Sequence, residues 1–123
     1  MKLRTVFIAN TIVAIIYALS AFLMPKEMLE LHGFGTDVST IWMGRFFAVE
    51  LLGIGLVTWF ARASEESSAR GGIVLGLMLH DVVGAVVAVL ATLEGAMDST
   101  MGWLPVALYV LLGLGYASVY FKK

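Results

Sequence analysis

The chain has 123 residues, 60% of them hydrophobic and only 14% charged, with a mean hydropathy of +0.93 and a formal net charge of −1. Soluble domains carry about 25% charged residues, so the composition excludes an ordinary soluble fold, and the lack of net positive charge excludes a basic surface for nucleic acid. With no cysteine, disulfides, thiolate metal sites and cysteine redox chemistry are excluded as well.

The apolar residues fall into four blocks, each close to the ~20 residues that cross a hydrocarbon core at 1.5 Å per residue. They predict an all-α fold, one integral membrane domain over 1–123, built as a four-helix transmembrane bundle. The first span covers about 4–24. Lys2 and Arg4 ahead of an apolar run have the look of a secretory leader, but the run from Thr5 to about Met24 is longer than a leader's ~7–15 apolar residues. It is expected to remain as a membrane helix and to stop at Pro25, which cannot continue the hydrogen-bond ladder. The loop KEMLELHGFGTDV follows, and Pro25–Leu31 is expected to form one or two amphipathic turns ended by Gly33.

The second span covers about 39–61 and leads into a short polar connector, RASEESSAR, over Arg62–Arg70. The third, about 71–93, holds His80 and Asp81 side by side near its middle. Its ridge at four-residue spacing, Gly72, Gly76, His80, Gly84 and Ala88, predicts close approach of another helix. Gly44 and Ala48 on the second span form another small-residue surface. The loop EGAMDSTMG carries Glu94 and Asp98 and no basic residue. The fourth span covers about 103–121, with Pro105 tolerated in its first turn.

Basic residues set the expected orientation. Lys2, Arg4, Arg62, Arg70, Lys122 and Lys123 fall on one side of the four spans, against Lys26 on the other, which predicts both termini in the cytoplasm. Leu51–Gly55 (LLGIG) and Leu111–Gly115 (LLGLG) match at an offset of 60 residues, each followed by a hydroxyl residue, aromatics and a basic end. The match suggests a parallel repeat of two helical hairpins.

Few polar side chains lie inside the spans: Asn10, Arg45, Glu50, His80 and Asp81. A charge at the bilayer centre costs at least ~2.5–3.5 kcal/mol, so such groups are expected to face the bundle interior and find partners. Arg45 and Glu50 are five residues apart, poor spacing for a pair on one helix. Glu50 is therefore expected to meet His80 or Asp81 between the second and third spans, as a proton-binding or cation-binding cluster with Asn10 in support. The alternative is a polar network that only fixes helix register. No cofactor is expected. Glu, His and Asp are acceptable ligands for a metal, and Gly76-x-x-x-His80 resembles the small-x-x-x-His arrangement that seats pigment rings on light-harvesting antenna helices, so a metal or tetrapyrrole at His80 is the minor reading.

Asn10, the Leu23-Met24-Pro25 stop, Gly44-Arg45 followed by LLGIG and Trp59-Phe60-Ala61-Arg62, and a central His in the third span resemble small bacterial four-helix inner-membrane proteins whose function is not established. That resemblance implies a multi-pass protein of the bacterial inner membrane and carries no activity. Three functions remain: an accessory or structural subunit of a homo-oligomer or larger membrane complex, an oligomeric channel or proton-coupled transporter using the polar cluster, and a cofactor-binding membrane subunit.

Overall fold

Proline and capping residues set the boundaries of the helices. The structure, a computed structural model, describes residues 2–97 and 100–122; Asp98 and Lys123, which enter the charge count above, lie outside them. Helix α1 (Leu3–Leu23) ends just before Pro25, and Pro25 then opens α2 (Pro25–His32), where its missing N–H costs nothing. Gly33 closes α2 in the left-handed conformation, φ 84°, which a residue with a Cβ rarely adopts. Pro25, Met28, Leu29 and His32 turn toward the bundle, while Lys26, Glu27 and Glu30 are exposed. The expected amphipathic turns are therefore a two-turn helix.

Asp37 caps α3 (Val38–Ala61), accepting from the Thr40 N–H at 3.1 Å. Ser67 caps α4 (Ser68–Leu93), accepting from the Arg70 N–H at 3.2 Å. This cap starts α4 three residues before the apolar run at Gly71, because a capped polar turn extends the helix beyond the hydrocarbon. A 3-10 turn at Thr100–Gly102 leads into α5 (Trp103–Tyr120). Four helices, α1, α3, α4 and α5, are long and apolar enough to cross a membrane, giving a multi-pass arrangement.

The long helices pack as two pairs, α1 with α3 and α4 with α5, joined by lighter contact between α1 and α5. Although consecutive in the chain, α3 and α4 share little interface among the described residues. The pairs meet in a core of Val6 and Phe7 from α1, Ala61 from α3, Val74, Leu77 and Met78 from α4, and Tyr116 from α5. This core sits beside the connector between α3 and α4. In hydrocarbon such contacts stabilise through close packing rather than by removing surface from water. At the opposite end α2 rests on α1 and α3. Large side chains such as Phe46, Val83 and Leu111 face outward, 60–67% exposed, as lipid-facing surfaces require.

Candidate functional site

Three polar groupings interrupt the apolar interior. The first joins α1 to both neighbours. The Asn10 amide donates to the Tyr116 hydroxyl at 2.8 Å. One turn of side chains away, the Thr11 and Thr58 hydroxyls lie 2.8 Å apart, with Thr11 Oγ1 also 2.9 Å from the Phe7 carbonyl and Thr58 Oγ1 3.0 Å from the Gly55 carbonyl. Each hydroxyl has one proton, so one threonine donates to the other and the second donates to its own helix backbone. Gly55 makes this approach feasible: a Cβ there would lie 2.7 Å from Ile15 Cδ1. Gly115, the equivalent glycine in LLGLG, faces Val6 of the same helix at 3.2 Å. Thr58 and Ser118 each place the hydroxyl oxygen next to the carbonyl of the glycine three residues before, at 3.0 and 2.8 Å.

The second grouping lies at the centre of α4. Asp81 is 2% exposed, with Oδ1 3.1 Å from His80 Nδ1, while the buried Oδ2 has no hydrogen-bond partner among the described residues. The α5 backbone comes close here, since a Cβ on Gly113 would lie 3.3 Å from Asp81 Cβ. His80 is 41% exposed by its side chain and sets its ring edgewise to Tyr109, centroids 5.7 Å apart.

The third lies under α2. His32, 5% exposed, places Nδ1 2.8 Å from the Met28 carbonyl and Nε2 3.0 Å from the Tyr17 hydroxyl, so one imidazole ties α2 to α1. Behind that bond a cavity of about 360 Å³ extends among α1–α5, its walls including Tyr17, Met43, Phe47, Ala88 and Tyr109. A smaller cavity of about 80 Å³ adjoins it, shared between Asn10, Tyr17, His80 and Tyr109.

No family model, curated protein or solved structure matches this chain.

The structure separates the ionisable residues that the sequence groups. Glu50 is exposed on α3 and, among the described residues, makes no hydrogen bond or ion pair with His80 or Asp81, which are paired with each other. The reason is the pairing of helices: α3 lies against α1, and α4 against α5. Arg45 is half-buried and stacks its guanidinium 4.9 Å from the Trp42 ring centre instead of reaching Glu50. Asn10 supports Tyr116, not the acidic residues. Among the described residues no group of three or more His, Asp or Glu is placed to hold a metal ion.

The small-residue ridge of α4 also divides. A four-residue step advances about 40° around the helix, so five members spread over nearly half its circumference. Gly72 and Gly76 face open space, whereas a Cβ on Gly84 would lie 2.7 Å from the Tyr109 ring and Ala88 is buried. Gly44 lies under Leu29 of α2, 3.8 Å from where its Cβ would be, and Ala48 is 2% exposed. Tyr116, Tyr109, Tyr17, Thr11 and Thr58 are polar groups that counting charges misses. The one sequence signal for them is Asn10, whose amide needs a partner.

Proposed function

We propose that this small multi-pass protein works in association, as a subunit whose α3 face joins a second copy or another membrane subunit, in a bacterial inner membrane with both termini cytoplasmic. Glu50 carries the reading. It falls at the middle of α3 (Val38–Ala61), yet it is exposed rather than folded inward. A charged group facing hydrocarbon at that depth costs ~2.5–3.5 kcal/mol on insertion scales, and a hydrogen-bond partner across a subunit interface removes that cost. Gly53, one turn further along the same outward face, has nothing near its Cβ position, so a second backbone can come close beside the carboxylate. The orientation rests on the clustering of basic residues at the termini and the α3–α4 connector.

The test is the mass of the protein in mild detergent and in bilayers. The wild type is expected to run as an oligomer or complex, and Glu50→Leu to shift it toward the monomer. A wild-type protein that stays monomeric in every mild detergent, with Glu50→Leu equally stable, overturns the reading.

A second reading, proton exchange at the His80–Asp81 pair, is favoured by the orphaned Asp81 Oδ2. It expects pH-dependent flux in liposomes that Asp81→Asn abolishes without loss of assembly. The space beside His80 is about 80 Å³, below the ~300–1,000 Å³ of small-molecule sites.

A further inference from the structure

The larger cavity is lined mostly by apolar side chains from α1 to α5. Its volume of about 360 Å³ falls within the range of small-molecule sites. Among the described residues its walls contain no Lys, Arg, Asp or Glu, so a charged ligand would find no counter-charge on them and would enter at a cost of several kcal/mol or more. Its polar side chains among the described residues are Tyr17, His32, Thr40 and Tyr109, and the Thr40 hydroxyl proton is taken by Asp37 at 2.5 Å. Tyr17 and Tyr109 line both cavities and so stand at their junction.

The hydrogen bonds define what those two phenols can do. The Met28 carbonyl only accepts, so His32 Nδ1 carries a proton, and in the tautomer with that proton alone Nε2 accepts from the Tyr17 hydroxyl. The Tyr17 proton is thereby used, leaving its oxygen as an acceptor. The Tyr109 hydroxyl makes no hydrogen bond among the described residues, so its proton is free to donate. The junction thus presents one donor and one acceptor at the head of an apolar chamber. Gly84 brings Tyr109 to this position, since any side chain there would strike its ring.

We propose that this cavity binds an uncharged long-chain amphiphile, its hydroxyl or carbonyl head on Tyr109 and Tyr17 and its hydrocarbon body against Met43, Phe47 and Ala88. Charge complementarity selects the class: among the described residues the walls offer the two phenol hydroxyls at the junction, no Lys, Arg, Asp or Glu, and mostly apolar side chains beyond them. Helix α2, held by His32 and by Leu29 over Gly44, closes one side of the chamber.

The experiment uses the full chain in phosphatidylcholine vesicles and hexadecanol carrying a diazirine in its chain, with the matching hexadecanoic acid as comparison. After photolysis, peptide mapping is expected to place the alcohol on cavity-facing residues of α1, α3 and α4, and the acid to label them several-fold less. Tyr109→Phe keeps the ring and removes one hydrogen bond, so labelling should fall about fivefold. Ala91→Phe fills the chamber and should abolish labelling, while an unchanged thermal melt of both variants shows that the fold is retained. Labelling spread over lipid-facing residues such as Val83 and Leu111, and unaffected by either variant, overturns the proposal. Equal labelling by alcohol and acid also overturns it, as do cross-links from the cavity to a second copy of the chain.

Discussion

The Asn10 amide and the Tyr116 hydroxyl, 106 residues apart in sequence, meet at 2.8 Å with both side chains buried, and theirs is a direct polar tie between the two helix pairs. Polar contacts between membrane helices are worth ~0.6 kcal/mol on average and up to ~1.7. A double-mutant cycle of Asn10→Leu and Tyr116→Phe, read by unfolding in mixed detergent, should give a coupling energy in the upper part of that range. Tyr116→Phe alone leaves the amide without its acceptor and should cost ~1–3 kcal/mol. A coupling of zero would show that the two residues stabilise the bundle independently.

Gly84 and Gly76 lie on one sequence ridge but in different surroundings. A Cβ at Gly84 would lie within 2.7–2.8 Å of three atoms of the Tyr109 ring, whereas one at Gly76 meets nothing within 4 Å. Gly84→Ala should therefore destabilise the monomer by ~1–3 kcal/mol, as overpacking does, and Gly76→Ala should change it by no more than ~0.5 kcal/mol. Equal effects in a detergent unfolding assay would contradict this division. A Gly76→Ala variant that is stable but dissociated would extend the association surface from α3 to α4.

Asp37 lies outside the spans and can be titrated. Its carboxylate accepts from the Thr40 hydroxyl at 2.5 Å and from the Thr40 N–H at 3.1 Å, and these bonds, the hydroxyl's first, hold its pKa below the ordinary 3.8. A lowered folded value means that the cap's contribution is fully present above the unfolded pKa and is lost as pH falls through the folded one. Hydrogen exchange at the first turn of α3 should therefore accelerate only in strong acid. Asp37→Asn should retain protection and flatten the pH dependence, and Asp37→Ala should expose that turn at every pH.

Much of the architecture was legible because hydrophobic length, proline stops and a capping aspartate act locally. The four spans, the break at Pro25 and the turn at Gly33 all follow from that kind of signal. Which helices touch does not. The separation of Glu50 from Asp81 depends on how each helix is rotated about its axis, and helices that are apolar nearly all round give little periodicity to read it from. The hydroxyls of Tyr17, Tyr109 and Tyr116 were hidden for a related reason: tyrosine is counted as an aromatic of the membrane boundary, and only the folded chain shows which rings point inward. His32 looked like a loop residue until α2 folded back and put it on α1.

The core around Tyr116 lies at one end of the bundle and the larger cavity at the other. Helix α1 packs on α3 and α4 on α5, and the two pairs touch at the Tyr116 core and again where α2 meets the 3-10 turn, so a tilt of one pair on the other, with the core as its pivot, would have to shift that second contact. About 20 Å of helix separates Phe7 from Ala21 at 1.5 Å per residue, so a tilt of roughly 5° at the pivot moves the far end by about 2 Å. A change in packing around Val6, Phe7 and Met78 that produced such a tilt would alter the width of a space those residues do not touch.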